Sequence, residues 1–63
     1  MVRKFKVGDI IQDRSDKLGR KYKVYEINEE EGCYFLMHPK AYYPAVTWEL
    51  KFKNEDKAVL VEL

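Results

Sequence analysis

The sequence predicts an all-β fold, a single very small barrel of five strongly bent antiparallel strands. Two observations carry that reading. The run Phe5-Lys6-Val7-Gly8-Asp9-Ile10-Ile11 reads as a strand whose alternation is interrupted by a Gly-Asp pair where the backbone must bend. Four more apolar runs of strand length follow, separated by polar or glycine-bearing turns, and only residues 29–32 and 44–48 have room for a turn of helix.

The first strand is expected over residues 4–12, with Phe5 and Val7 in one phase and Ile10 and Ile11 on either side of the bend. Residues 13–20 form a polar loop with Gly19 near its end, long enough to fold over the barrel mouth instead of making a tight hairpin. In the second strand, 21–27, Tyr22 and Val24 share a phase while Tyr25 and Ile27 take the other. That change predicts a bulge, or a strand serving two faces of a bent sheet. Asn28-Glu29-Glu30-Glu31-Gly32 is a turn: Gly32 suits a positive φ, and three adjacent glutamates repel one another too strongly to be buried.

The third strand, 33–38, is apolar in both phases up to His38, which suits a central position, and Pro39 ends it. Residues 40–46 make a structured loop around Pro44. Residues 47–53 alternate most cleanly, with Trp48, Leu50 and Phe52 on one side and Glu49, Lys51 and Lys53 on the other. A short hairpin connection at 54–57 leads to a last strand, 58–63, in which Val59, Val61 and Leu63 share a phase and tie the terminus into the sheet. The expected core is Val7, Ile10, Val24, Ile27, Phe35, Leu50, Val59 and Val61, with Trp48 largely buried. Gly8 is expected at a bend or at a crowded position where a side chain would clash.

Sixty-three residues make one domain, residues 1–63, near the lower size limit for folding without disulfides or metal. With 46% hydrophobic and 14% aromatic residues the chain is too rich for disorder, and Trp48, the five tyrosines and the three phenylalanines supply core volume. No apolar stretch approaches the roughly 18 residues of a membrane span, and the N-terminus lacks the apolar region of a signal peptide. A soluble, cytoplasmic protein with no membrane partner is expected. Cys33 is the only cysteine, which excludes an intrachain disulfide. One Cys and one His, Cys33 and His38, cannot furnish a zinc set, and the acids show no calcium-loop spacing, so neither metal nor cofactor is expected.

The five short strands, the Val-Gly-Asp opening and the polar loop between the first two strands resemble the SH3-like small-barrel superfamily, including Tudor- and KOW-type domains. The residues that carry the likeness are Phe5 to Ile11, then Tyr22-Lys23-Val24, then Gly32-Cys33-Tyr34-Phe35-Leu36. It spans nearly the whole chain, which also looks like the small barrels encoded by bacteria and their phages. The resemblance implies a binding module without naming its ligand. The Ala-Leu-Tyr-Asp-Tyr-like run of signalling SH3 domains, an aromatic cage and the KOW glycine pattern are all missing.

No nucleophile, base and orienting residue assemble in the sequence. His38 stands at a strand end, Ser15 lies in a charged loop, and Gly8, Gly19 and Gly32 are too far apart for a phosphate loop, so enzymatic activity is not expected. The first binding surface is Tyr42, Tyr43 and Pro44 with His38, and with Tyr25 or Tyr34 nearby, for a protein partner; exposed tyrosines give large contact area at low entropy cost. At least one of Tyr42 and Tyr43 is expected to fold inward and plug one end of the barrel. Open strand edges add a route for strand addition by a partner or a second copy, giving a monomer or weak homodimer.

The alternative ligand is nucleic acid. Residues 1–24 hold eight basic side chains against three acidic, and the remainder four against eight. Arg14, Lys17, Arg20, Lys21 and Lys23 would track phosphates while Tyr22 or Tyr25 stacks on a base. A pI of 7.8, and Asp13 and Asp16 within the same loop, favour the protein partner, and interleaved strands mix the two charge blocks.

Overall fold

Alternation in the apolar runs becomes one antiparallel sheet in the structure, a computed structural model that describes residues 3–61. Its strands are β1 (Ile10–Asp13), β2 (Lys21–Asn28), β3 (Cys33–Met37), β4 (Thr47–Lys51) and β5 (Ala58–Leu60). They lie in the order β4-β3-β2-β1-β5: a meander whose fifth strand returns to pair with the first. β4 and β5 are therefore the two edges, and no ladder joins them among the described residues.

Register fixes which phase points inward. Ile11 lies opposite Tyr22, Val24 opposite Leu36, Ile27 opposite Tyr34, Tyr34 opposite Leu50 and Leu36 opposite Trp48. These residues supply most of the core, together with Phe5 and Ala58. The phase change in β2 is a bulge: the pairing with β3 shifts between Val24 and Glu26 and leaves Tyr25 as the extra residue. Tyr22, Val24 and Ile27 thus face the core, while Tyr25 packs outside against Phe35, ring centroids 6.2 Å apart.

Three expectations need correction: where the first strand begins, what residues 52–57 form and which residues make the core. The first strand begins at Ile10, because Lys6 to Asp9 is a β-turn. Asp9 N–H donates to Lys6 O at 3.0 Å, Lys6 N–H donates to Asp9 Oδ2 at 3.0 Å, and Gly8 takes φ +99°. Val7 stands on that turn and is 60% exposed; Phe5, only 3% exposed, enters the core in its stead. Gly8 is a bend and not a crowded position, since a Cβ there would meet nothing within 4 Å.

Residues 52–57 are a 3₁₀ helix, Phe52–Lys57, and not part of a hairpin. Long-range contacts build it. Phe52 N–H donates to Gly32 O at 2.9 Å, its ring meets Tyr34 edge-on at 5.1 Å, and the Lys4 ammonium donates to Ala58 O at 2.8 Å and Glu55 O at 3.2 Å.

The core also differs in membership. Val24 and Leu50 are buried as expected, but Ile10, Ile27, Phe35, Val59, Val61 and Trp48 are half-buried. Tyr34, Ile11, Val24 and Cys33 are the largest fully buried side chains. Glu62 and Leu63, and with them the expected end of the last strand, lie outside the described residues.

Candidate binding surfaces

The loop from His38 to Val46 follows β3 because Pro39 cannot donate to a ladder. Its base is a tight turn, Ala41 N–H donating to His38 O at 3.1 Å. Lys40 N–H also donates to His38 Nδ1 at 3.1 Å, so in the neutral ring the proton is on Nε2. Beyond this turn the loop carries no charge from Ala41 to Trp48. Tyr42 is fully exposed, Tyr43 is 68% exposed, and Pro44, Ala45 and Val46 are exposed beside them. Neither tyrosine folds inward as expected. Tight turns at 38–41 and 43–45, the second with Ala45 N–H on Tyr43 O at 2.8 Å, keep both rings at the loop tip. Tyr34 is a core residue and Tyr25 belongs to the outer face, so neither joins this surface.

The basic residues are distributed over several places. Arg14 is exposed, its N–H donating to Lys57 O at 2.7 Å. Arg20 Nε donates to Asp16 Oδ2 at 3.0 Å. That bond and the Leu18 N–H hold Asp16 below its ordinary carboxylate value, while Ser15, through hydroxyl and N–H, does the same for Asp13. Lys23 lies opposite Ile10 and Met37, in the outward phase of β2. Lys21 meets His38, Pro39, Lys40 and Gly19 around a recess of about 490 Å³. One member of each sequence-derived surface, Lys21 and His38, therefore lines the same depression, which has no acidic side chain in its lining.

A second cleft, of about 470 Å³, opens beside β4. Its floor is Ile11, Leu36, Leu50 and Ala58, and Tyr22 and Trp48, centroids 5.0 Å apart, form an aromatic wall. Asp13, Ser15, Asp16, Lys17 and Arg20, from the end of β1 and the following loop, make the rim, with Glu49 from β4. That loop thus borders the cleft. Sequence reasoning assigned Trp48 to the core and overlooked the cleft. Alternation marks Trp48 as inward-facing, but only the pairing of distant strands reveals that the sheet is open beside it.

The donor atoms of Glu31, Cys33 and Glu49 lie within 4.8 Å of one another. Burial, reinforced by the neighbouring Glu49, pushes the Cys33 thiol above its usual range, so the sulfur is a protonated packing group at neutral pH. No helix among the described residues is long and apolar enough to cross a membrane. In comparisons with protein-family models, curated proteins and solved structures, nothing matches this chain.

Proposed function

We propose that this chain is a non-enzymatic, cytoplasmic binding module of SH3-like small-barrel architecture. It recognises a protein partner through Tyr42, Tyr43 and Pro44, with His38 at the base of the same loop, and through its open strand edges. The meander with β5 returned to β1 supports the small-barrel reading. The observation that carries the function is the exposed, uncharged run at residues 42–46. Two adjacent tyrosines that contribute little to packing are available as contact residues, and aromatic anchors of this kind dominate binding energies. The protein acts as a monomer or weak homodimer.

The test is affinity capture from the native host with wild type and Tyr43→Ala, followed by a direct titration of the recovered partner. A loss of about fivefold in affinity or more, corresponding to about 1 kcal/mol, is expected for Tyr43→Ala. Wild-type affinity in that variant would overturn the reading.

One observation favours a second ligand class. Lys21, His38 and Lys40 share a recess without a carboxylate, a setting suited to a phosphate of single-stranded nucleic acid. A salt series with single-stranded and duplex oligonucleotides decides it. The double change Lys21→Ala, Lys40→Ala should flatten the salt slope by roughly two units, and a flat wild-type series would remove nucleic acid from consideration.

A further inference from the structure

We infer that the cleft beside β4 is a strand-addition site for an extended segment of a partner protein in which aliphatic and basic residues alternate. The inference rests on the protein-recognition reading above and gives it a second place on the molecule and a partner chemistry.

The first support is the edge itself. Among the described residues, the backbone of 47–50 makes no hydrogen bond beyond its ladder with β3, while Lys51 also caps the 3₁₀ helix. Such an edge offers unpaired N–H and C=O groups to an incoming strand. The opposite edge, β5, is only three residues long, whereas β4 runs for five without proline, glycine or a register shift. Glu49 and Lys51 are its only edge-guarding charges, and they are paired with each other.

The second support is where the cleft runs. Trp48, Glu49 and Leu50 all line it. Successive residues of a strand point to opposite faces, so a space reached by three in a row lies along the strand's edge. Asp13 and Ala58, register partners across the β1–β5 pair, form the far side, and Ile11 and Leu36 lie beneath. A segment laid here would gain backbone partners from β4 and an apolar floor under every second side chain.

Charge selects the other side chains. Asp13, Asp16 and Glu49 line the cleft against Lys17 and Arg20, and Arg20 is engaged with Asp16. Glu49 is held only by Lys51, at 3.6 Å with both side chains 48% exposed, a pair that exchanges readily for a better one. A Lys or Arg opposite Glu49 is therefore favoured, and an acidic residue there is disfavoured.

The experiment uses the full chain and a blocked heptapeptide alternating Lys and Val. Trp48 is the only tryptophan, so its emission reports on the cleft directly, and amide resonances of 47–51 report on the edge. The peptide should shift both. A Glu/Val heptapeptide should bind roughly tenfold more weakly, and Glu49→Lys should reverse that preference. N-methylation of alternate peptide residues, which removes the donors along one edge, should abolish binding to the wild-type chain. Equal binding by the acidic or the N-methylated peptide, or unmoved 47–51 amides, would overturn the proposal. So would protection of those amides by self-association alone, or by a deoxythymidine oligonucleotide in preference to the peptide. If the peptide fails while Tyr43→Ala still weakens a recovered partner, strand addition falls and the loop reading stands.

Discussion

The Tyr34 hydroxyl donates a 2.5 Å hydrogen bond to Glu55 Oε2 and accepts one of 3.3 Å from the Phe5 N–H. One phenol thus ties the start of β3 to the 3₁₀ helix and to the N-terminal segment. Its ring is fully buried and stands edge-on to both Phe5 and Phe52. Tyr34→Phe keeps the ring and removes both bonds. Loss of a hydrogen bond to a charged group costs about 1.5–3 kcal/mol, which in a domain of this size lowers Tm by roughly 6–24 °C. Thermal unfolding followed by circular dichroism checks this, and an unchanged Tm would show that the phenol contributes only its ring.

The same group sets an alkaline limit. Burial first, and then the hydrogen bond to Glu55, raise the Tyr34 phenol above its ordinary value of 10. Between the unfolded value and the higher folded one, the unfolded chain has lost a proton that the folded chain keeps. Stability from this group is complete below about pH 10 and is lost as pH rises through the folded value. Urea midpoints above about pH 10 should fall more steeply for wild type than for Tyr34→Phe. Parallel curves would contradict the assignment.

Gly8 is required by its backbone. With φ +99° and open space around the missing Cβ, any cost of Gly8→Val comes from conformation and not from a clash. A destabilisation of roughly 1–2 kcal/mol is expected for Gly8→Val, with Gly8→Asn milder because Asn tolerates positive φ better. Denaturant titration of the two variants gives the order, and equal stability of all three proteins would remove the turn argument.

Trp48 and Leu36 face each other across β3 and β4 but differ in burial. Leu36 is 5% exposed in the core, whereas Trp48 is half-buried on the cleft wall. Leu36→Ala should cost about 2–5 kcal/mol, and Trp48→Ala clearly less than the 3–5 kcal/mol of a fully buried aromatic, leaving a folded protein. The order of urea midpoints tests the ranking. An unfolded Trp48→Ala alongside a folded Leu36→Ala would return Trp48 to the core.

Much of the fold was legible because its signals are local. Strand alternation in β4, the phase change in β2 and the glycine turn before Cys33 each depend on a few neighbouring residues, and each appears where the sequence puts it. The 3₁₀ helix was not legible, since Phe52-Lys53-Asn54-Glu55-Asp56-Lys57 reads as strand end and turn until Gly32, Tyr34 and Lys4 supply its partners. Phe5 and Val7 share a phase, so alternation alone could not tell that the chain turns between them. The exposure of Tyr42 and Tyr43 was half anticipated, whereas the β4 cleft arises from distant strands and leaves no local trace.

The return of β5 to β1 divides folding into an early and a late part. β2, β3 and β4 are joined by sequential antiparallel pairings and can assemble from contacts near in sequence. The β1–β5 ladder and the Lys4–Ala58 bond join residues some fifty positions apart and must wait for a large loop to close. Until then Ile11, Val24 and Leu36 lack the cover of Ala58, and the rate at which β5 docks governs how long they stay open. Conservative substitutions at Val24 should slow refolding, while Val59→Ala should mainly speed unfolding, with a φ-value near zero. The reverse pattern in stopped-flow chevrons would mean that the molecule is closed first and filled in afterwards.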